Sequence, residues 1–138
     1  KGMDPYAGRM RSMLIFAFFP LLALLAQSLG NYSYWFPIII IGIAGAAHQA
    51  WSANIFSTVG DMFPRSAIAT ITGIGGMAGA VGGILIAKAA GVLFDHYKAL
   101  GDIKIGYGIM FMICATVYII AWFVMHALVP KFKKINLE

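Results

Sequence analysis

The 138-residue chain is 61% hydrophobic and only 11% charged, with a formal net charge of +5. A soluble domain is nearer half apolar and a quarter charged, so this composition cannot cover a soluble surface and indicates a membrane protein. The positive charge does not indicate a nucleic-acid partner, because the cations lie at the ends of apolar runs and not on a basic face of a soluble fold. The single cysteine, Cys114, can form no internal disulfide.

Four apolar stretches are long enough to cross a bilayer core, which takes about 20 helical residues. They predict an all-α, multi-pass membrane fold with transmembrane helices at residues 12–29, 34–59, 68–94 and 107–129. The connection Gly30-Asn31-Tyr32-Ser33 is short, so the first two spans should form an antiparallel hairpin. Residues 1–11 are predicted as a cytoplasmic loop and residues 130–138 as a cytoplasmic tail. The chain starts with Lys1 within a polar segment, and we expect it to be a piece of a longer protein.

The distribution of cations predicts the orientation of the spans. Four spans leave both termini on one side, and that side carries seven Lys or Arg residues against two on the other. Positively charged loops remain in the cytoplasm, so both termini should be cytoplasmic. The seven are Lys1, Arg9, Arg11, Arg65, Lys131, Lys133 and Lys134, and the two are Lys98 and Lys104.

The second span carries an unusual group of polar and aromatic side chains in AGAAHQAWSANIF, namely His48, Gln49, Trp51, Ser52 and Asn54. At 100° per residue, His48, Trp51 and Ser52 fall on one side of the helix. One such residue would be explained by a hydrogen bond to a neighbouring helix, worth about 0.6 kcal/mol. Five within seven positions favour a water-filled cavity, because polar residues at that depth usually mark a transport pathway.

The third span has a stripe of small residues that recurs every four positions and includes Gly75, Gly79 and Gly83. In lipid, such a stripe allows two helices to approach closely. We expect it to be a helix-packing surface that can also move during gating. The GIGGMA segment fits a loose dinucleotide-binding pattern, but it lies inside a span with no preceding strand, so that match carries no weight.

Lys88 is the only cation inside a predicted span. It can snorkel to the membrane surface along its aliphatic stem, or it can face the cavity and pair with an anion. No Asp or Glu lies in any of the four spans, so that anion would come from elsewhere in the protein or from a substrate. No metal-ligand spacing and no nucleophile–base arrangement is present, so we expect no cofactor and no enzymatic activity.

The order of these segments resembles part of a known transporter family. KGMDPYAGRMRS resembles the cytoplasmic loop between helices eight and nine of major facilitator transporters, with Gly8, Arg9 and Arg11 at matching positions; Asp61 and Arg65 are grouped with the same loop motif. The stretch from AHQAWSANIF to GILIAKAAG resembles helices ten and eleven of the anion:cation symporter family, most closely its hexuronate transporters. The resemblance covers nearly the whole chain.

This resemblance implies that the chain is the last four helices of a twelve-helix fold in the inner membrane. It implies uptake of sugar acids with protons, with the coupling carboxylates in the missing N-terminal helices. A hexuronate needs a cation, several hydrogen-bonding side chains and an aromatic surface. The second-span group and Lys88 would supply them.

Two other classes remain open. A self-contained four-helix exporter acting as a dimer would have the same number of spans, but small multidrug exporters rely on a glutamate in the first span, which is absent here. A scaffold subunit would not need the polar group of the second span. Eight further spans upstream of this chain would favour the carrier, and an immediate start codon would favour the small exporter.

Overall fold

The computed structural model describes residues 4–135, and it confirms a helical protein with four helices long and apolar enough to span a membrane. These spans are Pro5–Gly30, Trp35–Met62, Arg65–Ala99 and Ile103–Leu128. They are called the first to fourth spans below. The end of the bundle that carries Asp4 and Ile135 is called the terminal end, and the other is the loop end. Residues 1–3 and 136–138 of the predicted loop and tail lie outside the described residues.

The helices extend beyond the predicted spans at most of their ends. Residues 5–11 were predicted as a loop, but the helix begins at Pro5 and is continuous into the first span. Proline suits the first turn of a helix, where its missing N–H would have no partner. The third span likewise begins at Arg65, directly after Pro64. Hydropathy detects the lipid-facing length of a helix, whereas polar residues continue the same helix into water.

The middle of the first span is a 3₁₀-helix at Phe19–Leu25, between α-helices Pro5–Phe18 and Ala26–Gly30. Pro20 lies at its start, where it has no N–H and its ring would clash with the carbonyl four residues earlier. Side chains three residues apart eclipse in a 3₁₀-helix. Between residues 17 and 26, the buried residues follow this spacing and are all small: Ala17, Pro20, Ala23 and Ala26. This narrow face lets the second and fourth spans pack closely against the first.

The first span lies between the second and fourth spans and runs antiparallel to both. Trp122 Nε1 donates a 2.9 Å hydrogen bond to the Met10 carbonyl oxygen near the terminal end. Gln27 Nε2 donates a 3.0 Å hydrogen bond to the Lys104 carbonyl oxygen near the loop end. These two bonds fix the register of the first span against the fourth at both ends.

The third span is peripheral and has no buried residue in the described chain. It packs mainly on the fourth span, and less on the second. Its close contact is at the loop end, where a Cβ added to Gly106 would lie 3.2 Å from Phe94 Cδ1 and 3.5 Å from Tyr97 Cβ. The residue that lets these two helices meet is therefore Gly106, which is on the fourth span.

Gly106→Leu should destabilise the protein by about 1–3 kcal/mol, because the added side chain must displace Phe94 and the backbone near it. Thermal unfolding of the detergent-purified protein would measure this. Gly91→Leu is the matched control, since nothing in the described structure lies within 4 Å of a Cβ at Gly91. Equal melting temperatures for the two variants would contradict the assigned contact.

Candidate functional site

Trp51 is buried in the core of the bundle that the described residues form. Only 5% of its surface is exposed, and it packs with the fully buried Met13 and Ala17 of the first span. The expectation that Trp51 shares an open polar surface with its neighbours is therefore not met in this structure. The second span turns this side chain toward the first span because the small face around Ala17 leaves space for an indole ring.

His48 and Tyr118 connect the second and fourth spans. His48 Nδ1 and the Tyr118 hydroxyl form a 2.5 Å hydrogen bond. The Tyr118 ring also meets Trp51 edge-on, with ring centroids 5.4 Å apart. The imidazole is exposed on the described surface, whereas the tyrosine is half-buried. A polar pair is thus held in place at mid-span, with one member open and the other supported by the core.

The other polar residues of the second span point in different directions. Gln49 is exposed, and it neighbours His48 in the chain. Asn54 Nδ2 donates a 2.8 Å hydrogen bond to the Ala50 carbonyl oxygen in its own helix, so its amide already has a partner. Ser52 lies on the side of the helix that faces the third span. The five predicted residues therefore do not form a single surface in this structure.

A cleft of about 330 Å³ separates the second and third spans. Ser52 and Ile55 line one wall, and Gly75, Gly76 and Gly79 line the other. A Cβ added to Gly75, Gly79 or Gly83 would meet nothing within 4 Å in the described structure. The predicted close approach at this stripe thus does not occur between described helices, and Gly75 and Gly79 instead form a smooth cleft wall.

Lys88 lies away from this cleft. It is nine residues after Gly79, which is two and a half helical turns and places it on the opposite face. Within the described part of the chain, the groove around it is lined by third-span residues alone, including Leu85, Val92 and His96. Lys88 is exposed, and within residues 4–135 it forms no ion pair. The structure therefore does not bring Lys88 together with His48 or Ser52.

The predicted loop-motif residues lie at the terminal end, and two of them are paired. Arg9 Nε lies 2.8 Å from Asp61 Oδ2, which links the first and second spans. Gly8 is in the first turns of the first span, and Arg65 is the exposed first residue of the third span. The ion pair is partly exposed, so its contribution to stability is at most about 1 kcal/mol.

Tyr118 is the residue that the sequence reasoning missed. It is a polar aromatic side chain in the middle of an apolar run of the fourth span. The signal was available, because a buried tyrosine hydroxyl usually needs a hydrogen-bond partner. Its partner could not be named without the arrangement of the helices. Among the described residues, no group of three or more His, Cys, Asp or Glu is placed to hold a metal ion.

The fold is helical, with four helices that are long and apolar enough to span a membrane, as in multi-pass membrane proteins. A scan against protein-family models found no match, and searches of curated proteins and of solved structures found none either.

Proposed function

We propose that this chain is the C-terminal four-helix portion of a twelve-helix secondary transporter that imports sugar acids with protons. The observation that carries the proposal is the polar pair of His48 and Tyr118 in the middle of membrane-spanning helices. Polar side chains at that depth are costly and usually belong to a substrate or ion pathway. Gln49, which is exposed beside the pair, extends it.

The proposed binding surface consists of His48, Gln49 and Tyr118. One donor of the neutral pair is used in the bond between His48 and Tyr118, so the other, the His48 Nε2–H or the Tyr118 hydroxyl, can donate to a carboxylate. An amide can both donate to and accept from sugar hydroxyls. Trp51 supports the ring of Tyr118 from the core, so its role in this proposal is positioning. Asn54 and Lys88 are left outside the binding surface because of their placement.

The cleft between the second and third spans has a separate role in this proposal. The glycine wall of the third span lacks side chains that would interlock with the second span, so the third span can slide past the second as the transporter changes conformation. The missing N-terminal helices would contribute the remaining side of the pathway and the coupling carboxylates. Ser52 would face this moving boundary.

Substrate binding to the complete protein in detergent tests this function. We expect saturable binding of glucuronate or galacturonate and little binding of glucose, because glucose has the same ring hydroxyls without the carboxylate. A hydrogen bond to a charged group is worth about 1.5–3 kcal/mol, which corresponds to tenfold to hundredfold in affinity. Equal binding of glucose and glucuronate would contradict the role of the carboxylate.

The proposal also fixes the orientation of the chain. A reporter enzyme fused after Glu138 should be active on the cytoplasmic side, and one inserted near Leu100 should be active on the opposite side. The reason is the excess of Lys and Arg at the terminal end, which is six against two among the described residues. Reversed labelling of the two fusions would contradict this topology.

A dimeric four-helix exporter is the second candidate. One observation favours this candidate. The third span has no buried residue in the described chain, so a second copy of the chain could pack against its exposed surface. Disulfide crosslinking separates the two candidates. With Cys114 replaced by serine, the Gly79→Cys variant should crosslink two identical chains in the exporter but not in the carrier, where the helices of the other half would cover the third span at this position.

A further inference from the structure

A pocket of about 610 Å³ lies at the terminal end between the first and fourth spans, and its lining residue Trp122 is one helical turn beyond Tyr118. Ala7 and Met10 contribute apolar surface from the first span, and Trp122 contributes an indole ring from the fourth. Pro130 and Phe132 close one side with the start of the tail. None of the roles described above uses this pocket.

The walls of this pocket are held in fixed positions. The Trp122 indole N–H is bonded to the Met10 carbonyl oxygen, and the His126 ring stacks on Trp122 with centroids 5.0 Å apart. The Tyr6 hydroxyl donates to the Val129 carbonyl oxygen, which joins the start of the first span to the end of the fourth. The pocket is therefore preformed before any ligand enters.

The polar groups of the pocket carry a net positive charge. Arg11 lines it from the first span and Lys131 from the tail, and His126 of the fourth span contributes ring nitrogens. Among residues 4–135, Asp4 is the only carboxylate in the lining. Lys133 and Lys134 follow in the tail and add to the positive potential at this end without lining the pocket. Such a site favours an anion with several acceptor oxygens.

The surface below the pocket is apolar. Phe18 is seven residues, about two helical turns, after Arg11 and thus on the same side of the first span. Phe123 is three residues before His126 on the fourth span. Both side chains are more than half exposed. An occupant with a charged head at the pocket and hydrocarbon chains below would match both parts of this surface.

We infer that this pocket binds the phosphate headgroup of an anionic phospholipid, such as phosphatidylglycerol, from the leaflet at the terminal end. Basic pockets between transmembrane helices commonly recognise such headgroups. Arg11 and Lys131 contact the phosphate oxygens, Trp122 lies against the glycerol, and the acyl chains extend toward Phe18 and Phe123. This site is independent of the proposed transport function.

Native mass spectrometry of the complete protein, titrated with phosphatidylglycerol or phosphatidylcholine, tests the inference. We expect one saturable phosphatidylglycerol at this pocket and weaker binding of phosphatidylcholine. Lys131→Gln and Arg11→Gln should each weaken phosphatidylglycerol binding by about fivefold. Lys133→Gln is the matched control, because it removes the same charge from the same tail without touching the pocket. Both classes of variant should keep the wild-type helical circular dichroism.

Three outcomes would overturn the inference. Unchanged lipid binding in both Lys131→Gln and Arg11→Gln would show that the pocket is not the site. An equal loss in Lys133→Gln would show that diffuse attraction to the tail accounts for the binding. Competition by glycerol 1-phosphate at the same concentrations as the lipid would show that a soluble phosphate ester is the occupant.

Discussion

Trp51→Ala should destabilise the bundle by about 2–4 kcal/mol. Removing a buried tryptophan from a protein core costs about 3–5 kcal/mol, and in a membrane the share due to transfer from water is smaller while the lost packing remains. The substitution would empty the space between Met13, Ala17 and Tyr118, which its ring now fills. It would also leave the Tyr118 ring without its edge-on neighbour.

Unfolding of the detergent-solubilised protein by a denaturing detergent would measure this effect. Trp35→Ala is the matched control, since Trp35 is 56% exposed against 5% for Trp51. We expect the control to unfold close to wild type. A stable Trp51→Ala protein with altered preference between sugar-acid epimers would instead mean that Trp51 contacts the substrate and is not a core residue.

His48→Ala should lower the apparent affinity for sugar acids by about tenfold to hundredfold, the range for losing a hydrogen bond to a charged group. Tyr118→Phe keeps the ring against Trp51 but removes the hydroxyl, so its effect should be smaller. Because the two side chains are bonded to each other, the double variant should lose no more binding free energy than the two single variants lose together. The difference between these two losses measures the coupling of His48 and Tyr118.

Two further variants test whether the loss of affinity is specific to His48. His96→Ala removes an exposed imidazole from the loop end of the third span and should leave uptake kinetics near wild type. Lys88→Gln should also be nearly silent, because Lys88 is on the face opposite the cleft wall. A sharp loss of affinity in Lys88→Gln with normal uptake in His48→Ala would reverse the assignment and place the carboxylate contact on the third span.

The number, order and approximate positions of the helices could be predicted because they depend on hydropathy, which is a property of single segments. The ends of the helices could not be predicted in this way, since Pro5 and Arg65 begin helices in polar segments that hydropathy assigns to loops. The 3₁₀ segment at Phe19–Leu25 could be predicted from the sequence only in part. Pro20 indicated a disturbance of the first span, but not that small residues at every third position would form its buried face.

The sequence predicts which polar residues lie in the second span, but not which neighbouring helix each of them faces. A helical wheel gives the angles between Trp51, Ser52 and Asn54, and it does not give which neighbouring helix lies at each angle. The first span lies beside Trp51 and buries it, and the third span lies beside Ser52 across a cleft. The same is true of Gly79. A small residue allows a neighbouring helix to approach closely, but it does not show which helix will do so.

The central claim is that this chain forms part of a proton-coupled sugar-acid importer, and uptake by proteoliposomes tests it most directly. The complete protein would be reconstituted in vesicles with an acidic exterior, and accumulation of labelled glucuronate would be followed with and without a protonophore. We expect accumulation above equilibrium that the protonophore abolishes and that His48→Ala reduces at low substrate concentration. No glucuronate uptake by well-folded, correctly inserted protein would contradict it.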